Sequence, residues 1–423
     1  MFKKIVSLML VVVMCATMCI AMASCANSGT NDGDVIASPL PLKDIKASVT
    51  VPADFKIGFI FLHDENSTYD ANFINAAKRA KDIFGLTDEQ VVIKVNIGEN
   101  NDCYNAAIDL ADSGCDIVFA DSFGHEQFMI QAAKERPDTQ FCHATGTRAH
   151  TENLANYHNA FASIYEGRYL AGIAAGLKLN EMIEAKKITA EEAVMGYVGA
   201  FTYAEVISGL SSFYLGAKSV CPSVTMKVQF TGSWYDEGKE QEAATALLSK
   251  KCVLISQHAD SMGAPSACEI AGVPNVSYNG STIAACPETF IISSAINWTP
   301  YFVYIIESYI KGEAIAADWC GGIAEGSVVL SDINGAVAAE GTIEKINAAI
   351  EGLANGTIKV FDTTTFTYQG NQLTTYLADV NTDENFEKDT EAIKDGAFAE
   401  SSDRSAPYFD IQIDGIEFLN AMY

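Results

Sequence analysis

Aromatic side chains recur beside acidic, amide and hydroxyl side chains at several places in this sequence. Phe123 directly follows Ser122, and Trp234 lies two residues before Asp236. A flat heteroaromatic ligand needs rings to stack on and carboxylate or amide groups to pair with its polar edge. The residues that we expect to contact such a ligand are Tyr69, Asp70, Ser122, Phe123, Tyr203, Glu205, Trp234, Asp260, Asn279 and Trp298.

Core packing is an alternative explanation for any single aromatic residue in this set. For Phe123 or Tyr203 taken alone, core packing and ligand contact explain the residue equally well. However, six loops share the same combination of side chains, and each of these loops follows a predicted strand. The carboxyl ends of parallel strands meet at one edge of a sheet, where open α/β sheets bind their ligands. The repetition therefore favours a binding site over six independent packing positions.

Short apolar segments alternate with amphipathic segments, which predicts alternating strands and helices. The first series has predicted strands at 55–61, 91–95, 116–120 and 140–143, with helices at 72–84, 104–111 and 127–134. After a glycine- and alanine-rich helix at 165–179, the second series has strands at 194–198, 226–230, 253–256 and 275–278, with helices at 204–217, 238–248 and 264–271. Such alternation implies right-handed βαβ units and parallel sheets. We therefore predict an α/β fold with two doubly wound lobes and a central cleft.

Length and charge restrict the function further. The chain has 423 residues and a net charge of −27, and residues 1–25 contain two lysines and no acidic residue, so the remainder has a net charge of −29. This charge repels the phosphates of nucleic acids, which we therefore exclude as partners. It is compatible with an uncharged or cationic ligand. Beyond residue 53 roughly 370 residues remain, more than one hydrophobic core accommodates, so two domains are expected.

The first 25 residues have the features of a bacterial lipoprotein signal peptide. Lys3 and Lys4 precede an apolar segment, and the small-residue pattern Met-Ala-Ser ends at Cys25, which we expect to be lipidated. An uncleaved transmembrane anchor is the alternative, although the apolar segment is marginal for a bilayer of ~30 Å. Residues 26–53 are predicted to be a flexible tether. The protein is thus expected at the cell membrane, anchored by lipid on the extracytoplasmic face.

Motifs of common enzymes are absent from the sequence. It has no G-x-S-x-G, H-E-x-x-H, P-loop or G-x-G-x-x-G pattern, and its six histidines do not have the spacing of metal ligands. The eight cysteines from Cys103 to Cys320 do not form a C-x-x-C pair, and their redox state stays open. We therefore expect a protein that is not an enzyme and that binds neither a cofactor nor a metal.

Several motifs, in this order along the chain, resemble those of the basic membrane protein family. They are KIGFIF, FADSFGHE, FCHATG, YEGRYLAGIAAGL, MGYVGAF, GSWYDEGKEQEAATALLSKKCVLISQHADS and INWTPY, and the resemblance covers about residues 54–365. Members are lipoprotein substrate-binding components of ABC importers, and several take up purine nucleosides or bases. The resemblance implies a type I periplasmic-binding-protein fold with three crossovers between the lobes. It also implies a permease and an ATPase as partners.

The family's ligand residues match this sequence unevenly. Phe123 matches the stacking aromatic residue, whereas Tyr69-Asp70 replaces the usual Phe-Asn. Asn279 replaces an Asp, and Asn297-Trp298 stands where nucleoside binders have a Lys. Because these charged residues serve ribose and the edge of the base, the resemblance favours a purine nucleobase. A purine nucleoside, a sugar, and a surface sensor lipoprotein without a transport role remain alternatives.

Domain limits follow from these patterns. We predict an N-terminal lobe at 54–165 with a return segment at about 300–320, and a C-terminal lobe at 190–292 with about 321–365. Residues 368–423 exceed the family core, and they contain 12 acidic and three basic residues among scattered aromatic ones. This composition is too apolar for disorder, which predicts an ordered acidic appendage that packs on one lobe.

Overall fold

The computed structural model describes residues 35–381 and 387–423, and its first sheet consists of six strands that all pair in parallel. Ile57 is opposite Val91 on one side and Ile117 on the other. From one edge of the sheet to the other, the strands are Asp318–Gly321, Tyr157–Ala162, Gln140–Ala144, Ile117–Ala120, Ile57–Ile60 and Val91–Lys94. This sheet and its helices form the first lobe.

The second sheet has seven strands, of which only one edge strand is antiparallel. In order, the strands are Val328–Leu330, Phe290–Ile296, Asn275–Tyr278, Leu254–Gln257, Val194–Gly199, Thr225–Phe230 and Ile416–Phe418. The antiparallel strand is Val328–Leu330, which pairs with Phe290–Ile296. This sheet and its helices form the second lobe.

Helices flank both sheets. They are Thr68–Phe84, Asn101–Asp112, Glu126–Glu135, Ala149–Glu152, Ile164–Glu184, Ala204–Val220, Glu237–Ser249, Gly263–Ala271, Thr299–Lys311 and Thr342–Ala354, with 3-10 turns at Phe123–His125 and Ala190–Glu192. Short strands lie at Val35–Ile36, Ile333–Asn334, Leu377–Ala378, Thr390–Glu391, Ile393–Lys394 and Ala397–Phe398. No helix in the described part of the chain is both long and apolar enough to span a bilayer.

Local sequence explains how the first helix of the first lobe begins and ends. Ser67 precedes the helix, and its side chain accepts a hydrogen bond from the amide of Asp70. The helix ends at Gly85, whose φ of 64° suits glycine because it lacks a Cβ. Phe73 and Ile74 belong to the face that the helix buries in the core of the lobe. The start of this helix thereby places Tyr69 and Asp70 beside the end of the first strand.

The chain crosses between the two sheets three times, after Ala162, after Ile296 and after Gly321. The glycine- and alanine-rich helix Ile164–Glu184 follows the first crossover and packs against Ala204–Val220. This packing is too close for a side chain, because a Cβ at Gly172 would lie 2.0 Å from the carbonyl oxygen of Phe213. The predicted α/β fold with two doubly wound lobes is confirmed.

Predicted and observed elements differ at their ends, and the prediction lacks the edge strands Asp318–Gly321, Val328–Leu330 and Ile416–Phe418 as well as two interior strands. The strands Tyr157–Ala162 and Phe290–Ile296 were not among the predicted elements, although both are buried strands. The lobe limits at 54–165 and 190–292 stay predictions. Cys25 and the residues before it lie outside the described residues. The eight cysteines from Cys103 to Cys320 are free thiols, of which only Cys320 is partly exposed.

The C-terminal appendage contacts both lobes, which corrects the expectation that it packs on one. Its last strand, Ile416–Phe418, extends the second sheet by pairing with Thr225–Phe230. Ser405 donates hydrogen bonds from its backbone amide and its hydroxyl to Asp318 of the first lobe, over 2.9 and 2.7 Å. The buried guanidinium of Arg404 holds the turn between these attachments by donating to four backbone carbonyls.

Candidate ligand-binding site

A small cavity of about 20 Å³ lies between the lobes at the carboxyl ends of both sheets. This volume holds about one water molecule, so a larger ligand enters only when the two walls move apart. Its lining residues are Leu62, His63, Tyr69, Asp70, Ser122, Phe123, Thr145, Glu205, Trp234, His258, Asp260 and Tyr278. The first seven of these belong to the first lobe and the last five to the second. The cleft predicted from the strand order is therefore present.

Tyr69 forms part of the first-lobe wall, and an apolar stack supports its ring. Phe73 contacts it edge-on with the ring centres 4.9 Å apart, and Phe73 itself stacks on Trp298 at 4.4 Å. The hydroxyl of Tyr69 donates to the backbone carbonyl of Asp121 over 2.8 Å. The ring is thus held at both ends by protein contacts. Its position does not depend on a ligand.

Asp70 and Asp121 form a pair of buried carboxyl groups behind this wall. Burial raises the pKa of Asp70, but hydrogen bonds from His63 and Ser67 outweigh burial and hold this pKa below its ordinary value. Burial and the charge of Asp70 raise the pKa of Asp121 well above its ordinary value. The pair is therefore one ionised carboxylate, which lines the cavity, and one carboxylic acid behind it.

Ser122 and Phe123 are held by a polar network at the end of the strand Ile117–Ala120. The hydroxyl of Ser122 donates to Glu99 over 2.6 Å, and the imidazole of His143 donates to the carbonyl of Ser122 over 2.6 Å. Thr145 follows the next strand and has a φ of 67°, a strained conformation for a β-branched residue. The strain lies at the cavity wall, where such conformations are common in functional sites.

On the second-lobe side, Asp260 pairs with Asn279. The amide of Asn279 donates to Oδ1 of Asp260 over 2.9 Å, and Asn279 holds this position with a φ of 65°. Burial, followed by the charges of Glu240 and Asp70, raises the pKa of Asp260 well above its ordinary value. Asp260 is therefore a neutral acid that presents both a donor and an acceptor, while Asn279 fixes its orientation.

Glu205, His258 and Tyr278 complete the second-lobe wall. The side chain of Glu205 lies 3.6 Å from Nε2 of His258, and the rings of His258 and Tyr278 are 4.8 Å apart. Burial lowers the pKa of His258, although Glu205 opposes this effect. The imidazole is therefore uncharged near neutral pH. Its ring and that of Tyr278 give this wall flat surfaces.

A row of four aromatic rings closes the mouth of the cavity. Tyr203 lies 5.4 Å from Phe123 of the first lobe and stacks on Phe201 at 5.1 Å, and Phe201 contacts Trp234 at 4.9 Å. Phe123 and Trp234 line the cavity, and the two other rings connect them. The row crosses from one lobe to the other, so it forms only when the lobes are close together.

Hydrogen bonds also join the lobes at the cavity. The amide and hydroxyl of Thr68 both donate to the carbonyl of Asp260, over 3.2 and 3.0 Å. The side-chain amide of Asn72 donates to the carbonyl of Asn279 over 2.9 Å. The residues that accept these bonds are the same ones that line or support the cavity. The structure thus represents a closed arrangement of the two lobes.

Seven of the ten predicted contact residues line the cavity, namely Tyr69, Asp70, Ser122, Phe123, Glu205, Trp234 and Asp260. Tyr203 and Asn279 lie one layer behind, the first in the aromatic row and the second on Asp260. Trp298 is the exception, because the structure places it in the first-lobe core with 1% of its surface exposed. Its indole is covered by Phe73, which leaves no face for a ligand and corrects the expected stacking role.

Sequence reasoning missed Leu62, His63, Thr145, His258 and Tyr278 as wall residues. His63 and His258 each follow closely after a strand, and this position was the available signal for both. Tyr278 ends a buried strand, so its aromatic ring is indistinguishable from a core residue in the sequence. Thr145 has no signal of its own, because its conformation becomes visible only in three dimensions.

Charge in the cavity wall is predominantly acidic. Asp70, Glu205 and Asp260 line it, and the described lining residues include neither lysine nor arginine. An anionic ligand would lose its hydration without gaining a cationic partner, which disfavours phosphates and carboxylates. The wall instead suits a flat ligand that is rich in N–H donors.

Known proteins share both sequence and fold with this chain. A family model described as Bmp, ABC transporter substrate-binding protein PnrA-like, matches residues 62–363. The purine-binding protein of Brucella abortus (strain 2308) is 30% identical over 279 residues, which are 65% of this chain and 75% of that protein. A Haloferax volcanii protein named as an ABC transporter glucose-binding protein is 34% identical over 251 residues, 59% of this chain and 60% of its own.

A solved structure gives the same picture at the level of the fold. The solute-binding protein of an ABC transporter system from Conexibacter woesei DSM 14684 superposes with a TM-score of 0.58 at 22% identity. The superposition covers 72% of this chain and 98% of that protein. At this identity the likeness concerns the two-lobed architecture alone.

Proposed function

Because this chain belongs to the Bmp family of ABC transporter substrate-binding proteins, we propose that the cavity between its lobes binds a purine nucleobase for import. Members of this family are binding proteins, not enzymes. One observation supports the nucleobase above all. Aromatic rings and carboxyl groups face a closed cavity that has no cationic side chain among its described lining residues.

The wall matches the chemistry of a purine. The rings of Tyr69, Phe123, Trp234 and Tyr278 are available for stacking on a flat heterocycle, which adds to the burial of apolar area. Ionised Asp70 accepts from N–H groups, whereas neutral Asp260 both donates and accepts. A ligand that left one of these buried groups unpaired would lose about 1–3 kcal/mol of binding free energy. This cost gives the site its means of selecting among bases.

A purine nucleoside is the second candidate, and a specific feature supports it. A wide, open groove adjoins the cavity and shares Phe123, Thr145 and Glu205 with it. A sugar attached to the base would extend into this groove. The names of the two relatives described above differ in the ligand they give, which is a purine for one and glucose for the other. A sugar would also use aromatic rings and carboxylates, so it belongs in any test.

Isothermal titration calorimetry with adenine, guanine, hypoxanthine, adenosine, inosine, ribose and glucose tests the proposal. We expect at least one free base to bind more tightly than its nucleoside. Tight binding of nucleosides alone would move the proposal to the second candidate. If a sugar binds while every purine fails, the proposal is wrong. Phe123→Ala is a matched variant, since it should weaken purine binding by removing a ring that lines the cavity.

We further propose that Cys25 is lipidated and that the chain after it tethers the lobes outside the membrane, where they deliver ligand to a permease driven by an ATPase. The sequence features at the first 25 residues support this arrangement. The predicted tether at 26–53 is too long, because Ser38 and Ser48 donate hydrogen bonds to Leu330 and Glu307 and so attach this part of the chain to the lobes. Cys25→Ser should release the protein from the membrane fraction and change its mass. Unchanged membrane retention and unchanged mass in this variant would contradict the proposal. A permease gene and an ATPase gene beside this one would support transport over a sensor role.

A further inference from the structure

Arg168 is a fully buried cation behind the second-lobe wall of the cavity. It lies in the first turns of the helix Ile164–Glu184, and none of its surface is exposed. Its hydrogen-bond partners are all uncharged, and no carboxylate in the described part of the chain forms an ion pair with it. A buried charge without a counter-charge is costly, so its retention calls for a physical explanation.

The guanidinium joins four strands of the second sheet near their carboxyl ends. Nη2 donates to the hydroxyls of Tyr197 and Ser256 over 3.0 and 2.9 Å and to the carbonyl of Gln257 over 3.2 Å. Nη1 donates to the carbonyl of Ser277 and the hydroxyl of Ser294 at 3.4 and 3.5 Å. Two of these strands lead directly into His258 and Asn279.

Arg168 also lies against the ring that faces the ligand. Its guanidinium carbon is 4.8 Å from the ring centre of Tyr278, and the His258 ring is 4.8 Å from the same tyrosine. Tyr278 and His258 both line the cavity, whereas Arg168 does not. The guanidinium therefore supports these two rings from behind. A cation over an aromatic face is attracted to it, and the attraction strengthens away from water.

We propose that Arg168 is a positioning residue for ligand binding, which holds Tyr278 and His258 in the cavity wall and offsets the negative charge of Glu205 without touching the ligand. The inference rests on the proposed function of the cavity. The charge of Arg168 supports the proposal in addition to its contacts. Burial and Arg168 lower the pKa of His258, whereas Glu205 raises it. Tyr278 is the remaining titratable group in ring contact with His258. Burial, assisted by Arg168, thus keeps the imidazole uncharged against the opposing effect of Glu205.

Two substitutions separate charge from shape. Arg168→Met keeps much of the volume and removes the charge, and Arg168→Lys keeps the charge but loses the planar group that joins the strands. Arg79→Met is the matched control. Arg79 is half-buried and, like Arg168, donates to uncharged groups, here the side chains of Asn297 and Thr299. None of these three residues lines the cavity. Each variant is compared with the unmodified chain by urea unfolding, calorimetry and NMR.

NMR titration of the histidine ring signals without ligand gives a readout that a purely structural role would not change. The His258 signal is assigned by its loss in His258→Gln. We expect the His258 pKa to rise in Arg168→Met and to stay near its original value in Arg168→Lys, because only the first loses the charge. Calorimetry with the tightest-binding base should show at least a tenfold weaker Kd in both variants. Arg79→Met should change neither quantity.

An unchanged His258 titration and an unchanged Kd in a folded Arg168→Met protein would overturn the proposal. Should Arg168→Met fail to fold, Arg168→Lys decides, and wild-type affinity in that variant would equally refute a positioning role. If no base binds the unmodified protein, the proposed function fails. The His258 titration still tests Arg168 in that case, since it uses the ligand-free protein.

Discussion

Two tyrosines face the same cavity from opposite lobes, and the protein supports them by different means. Tyr69 rests on an apolar stack, in which Phe73 contacts it and Trp298 lies flat against Phe73. Tyr278 instead has the guanidinium of Arg168 over its ring and His258 beside it. One wall ring is thus backed by a hydrophobic core, and the other is backed by charge and hydrogen bonds.

This difference predicts how each half of the site responds to its surroundings. Apolar stacking does not involve protons, so the support of Tyr69 should be insensitive to pH. The second lobe holds His258, Asp260 and Glu240 within its buried interior, and the pKa of each is shifted by burial. The ring support in the second lobe should therefore be sensitive to pH, whereas in the first lobe the groups with shifted pKa values are Asp70 and Asp121, outside the apolar stack. Binding a ligand between two such walls requires both supports to be intact.

The largest expected effect concerns the apolar support. Trp298→Ala removes a fully buried indole from the first-lobe core, and truncation of a buried aromatic residue typically costs about 3–5 kcal/mol in the free energy of unfolding. Phe73 would also lose its stacking partner, so Tyr69 would be less well fixed and ligand affinity should fall. Urea unfolding and calorimetry measure the two effects.

Trp319→Ala is the matched control for this substitution. Trp319 lies in the same lobe but is only partly buried, and its ring contacts Tyr301 and Tyr304 instead of Phe73. Its loss should cost less stability and leave affinity unchanged. Equal losses of affinity in both variants would show that the effect comes from general destabilisation of the lobe. The apolar support of Tyr69 would then have no special role.

Glu240 tests the polar support through pH. Burial raises the pKa of its carboxyl group from 4.5 to about 7, although the amide of Ser261 donates to it. The folded protein therefore keeps a proton that the unfolded chain loses above pH 4.5. The stabilisation is complete below that pH and disappears as pH rises through 7, at up to about 1.4 kcal/mol per pH unit. Unfolding experiments between pH 4.5 and 8 should show this decline.

Glu240→Gln should remove this part of the pH dependence, because the amide does not titrate. Glu237→Gln serves as the control, since Glu237 is exposed in the first turn of the same helix. Its curve should follow that of the unmodified chain. Identical curves for the Glu240 variant and the unmodified chain would contradict the assignment of the titration to Glu240.

The fold could be predicted from the sequence because hydrophobic periodicity repeats over many residues, and individual errors at element ends do not alter the alternation. The wall residues were harder to predict. Asp70 and Asp260 were found because polar side chains after strands are informative in α/β folds. Trp298 stands in an equivalent loop, yet its side chain turns into the core. Sequence position gives the location of a residue but not the direction of its side chain.

The supporting residues could not be predicted, for a related physical reason. Arg168 lies in a helix rich in Gly and Ala, where nothing in the sequence shows that its side chain reaches four strands of the second sheet. The attachment of the appendage to both lobes depends on pairing between Ile416–Phe418 and a strand nearly 200 residues earlier. Such long-range contacts are fixed by the tertiary structure, and no local pattern encodes them.

Substitutions of Asp260 test whether the carboxyl group in the second-lobe wall is neutral or ionised. Its raised pKa makes it a neutral acid at pH 7, and an asparagine has a similar shape, with an NH2 group that donates and a carbonyl oxygen that accepts. We expect Asp260→Asn to keep ligand affinity within about threefold. Asp260→Ala should weaken binding about 10–100-fold, because it also leaves the amide of Asn279 without its partner. Calorimetry at pH 7 compares the two variants.

Glu65→Ala is the control for these two variants, since Glu65 is exposed in a loop near the cleft and does not line the cavity. Its affinity should equal that of the unmodified chain. If Asp260→Asn binds as weakly as Asp260→Ala, the carboxyl group is ionised in the complex. The second-lobe wall would then bind the ligand through an ionised carboxylate, as Asp70 does in the first lobe.

The smallest expected effect concerns the C-terminal appendage, which contacts both lobes. Ser405→Ala removes the hydroxyl that donates to Asp318, while the backbone amide keeps its own bond to the same oxygen, so the loss should be about 0.5–1.5 kcal/mol. Hydrogen exchange should become faster at residues 401–408 and stay slow at Ile416–Phe418, which belongs to the second sheet. Ser249→Ala, at an exposed helix end, should leave both segments unchanged. Faster exchange in both segments of Ser405→Ala would mean that the appendage opens as one unit. Its contacts with the two lobes would then break together and not independently of each other.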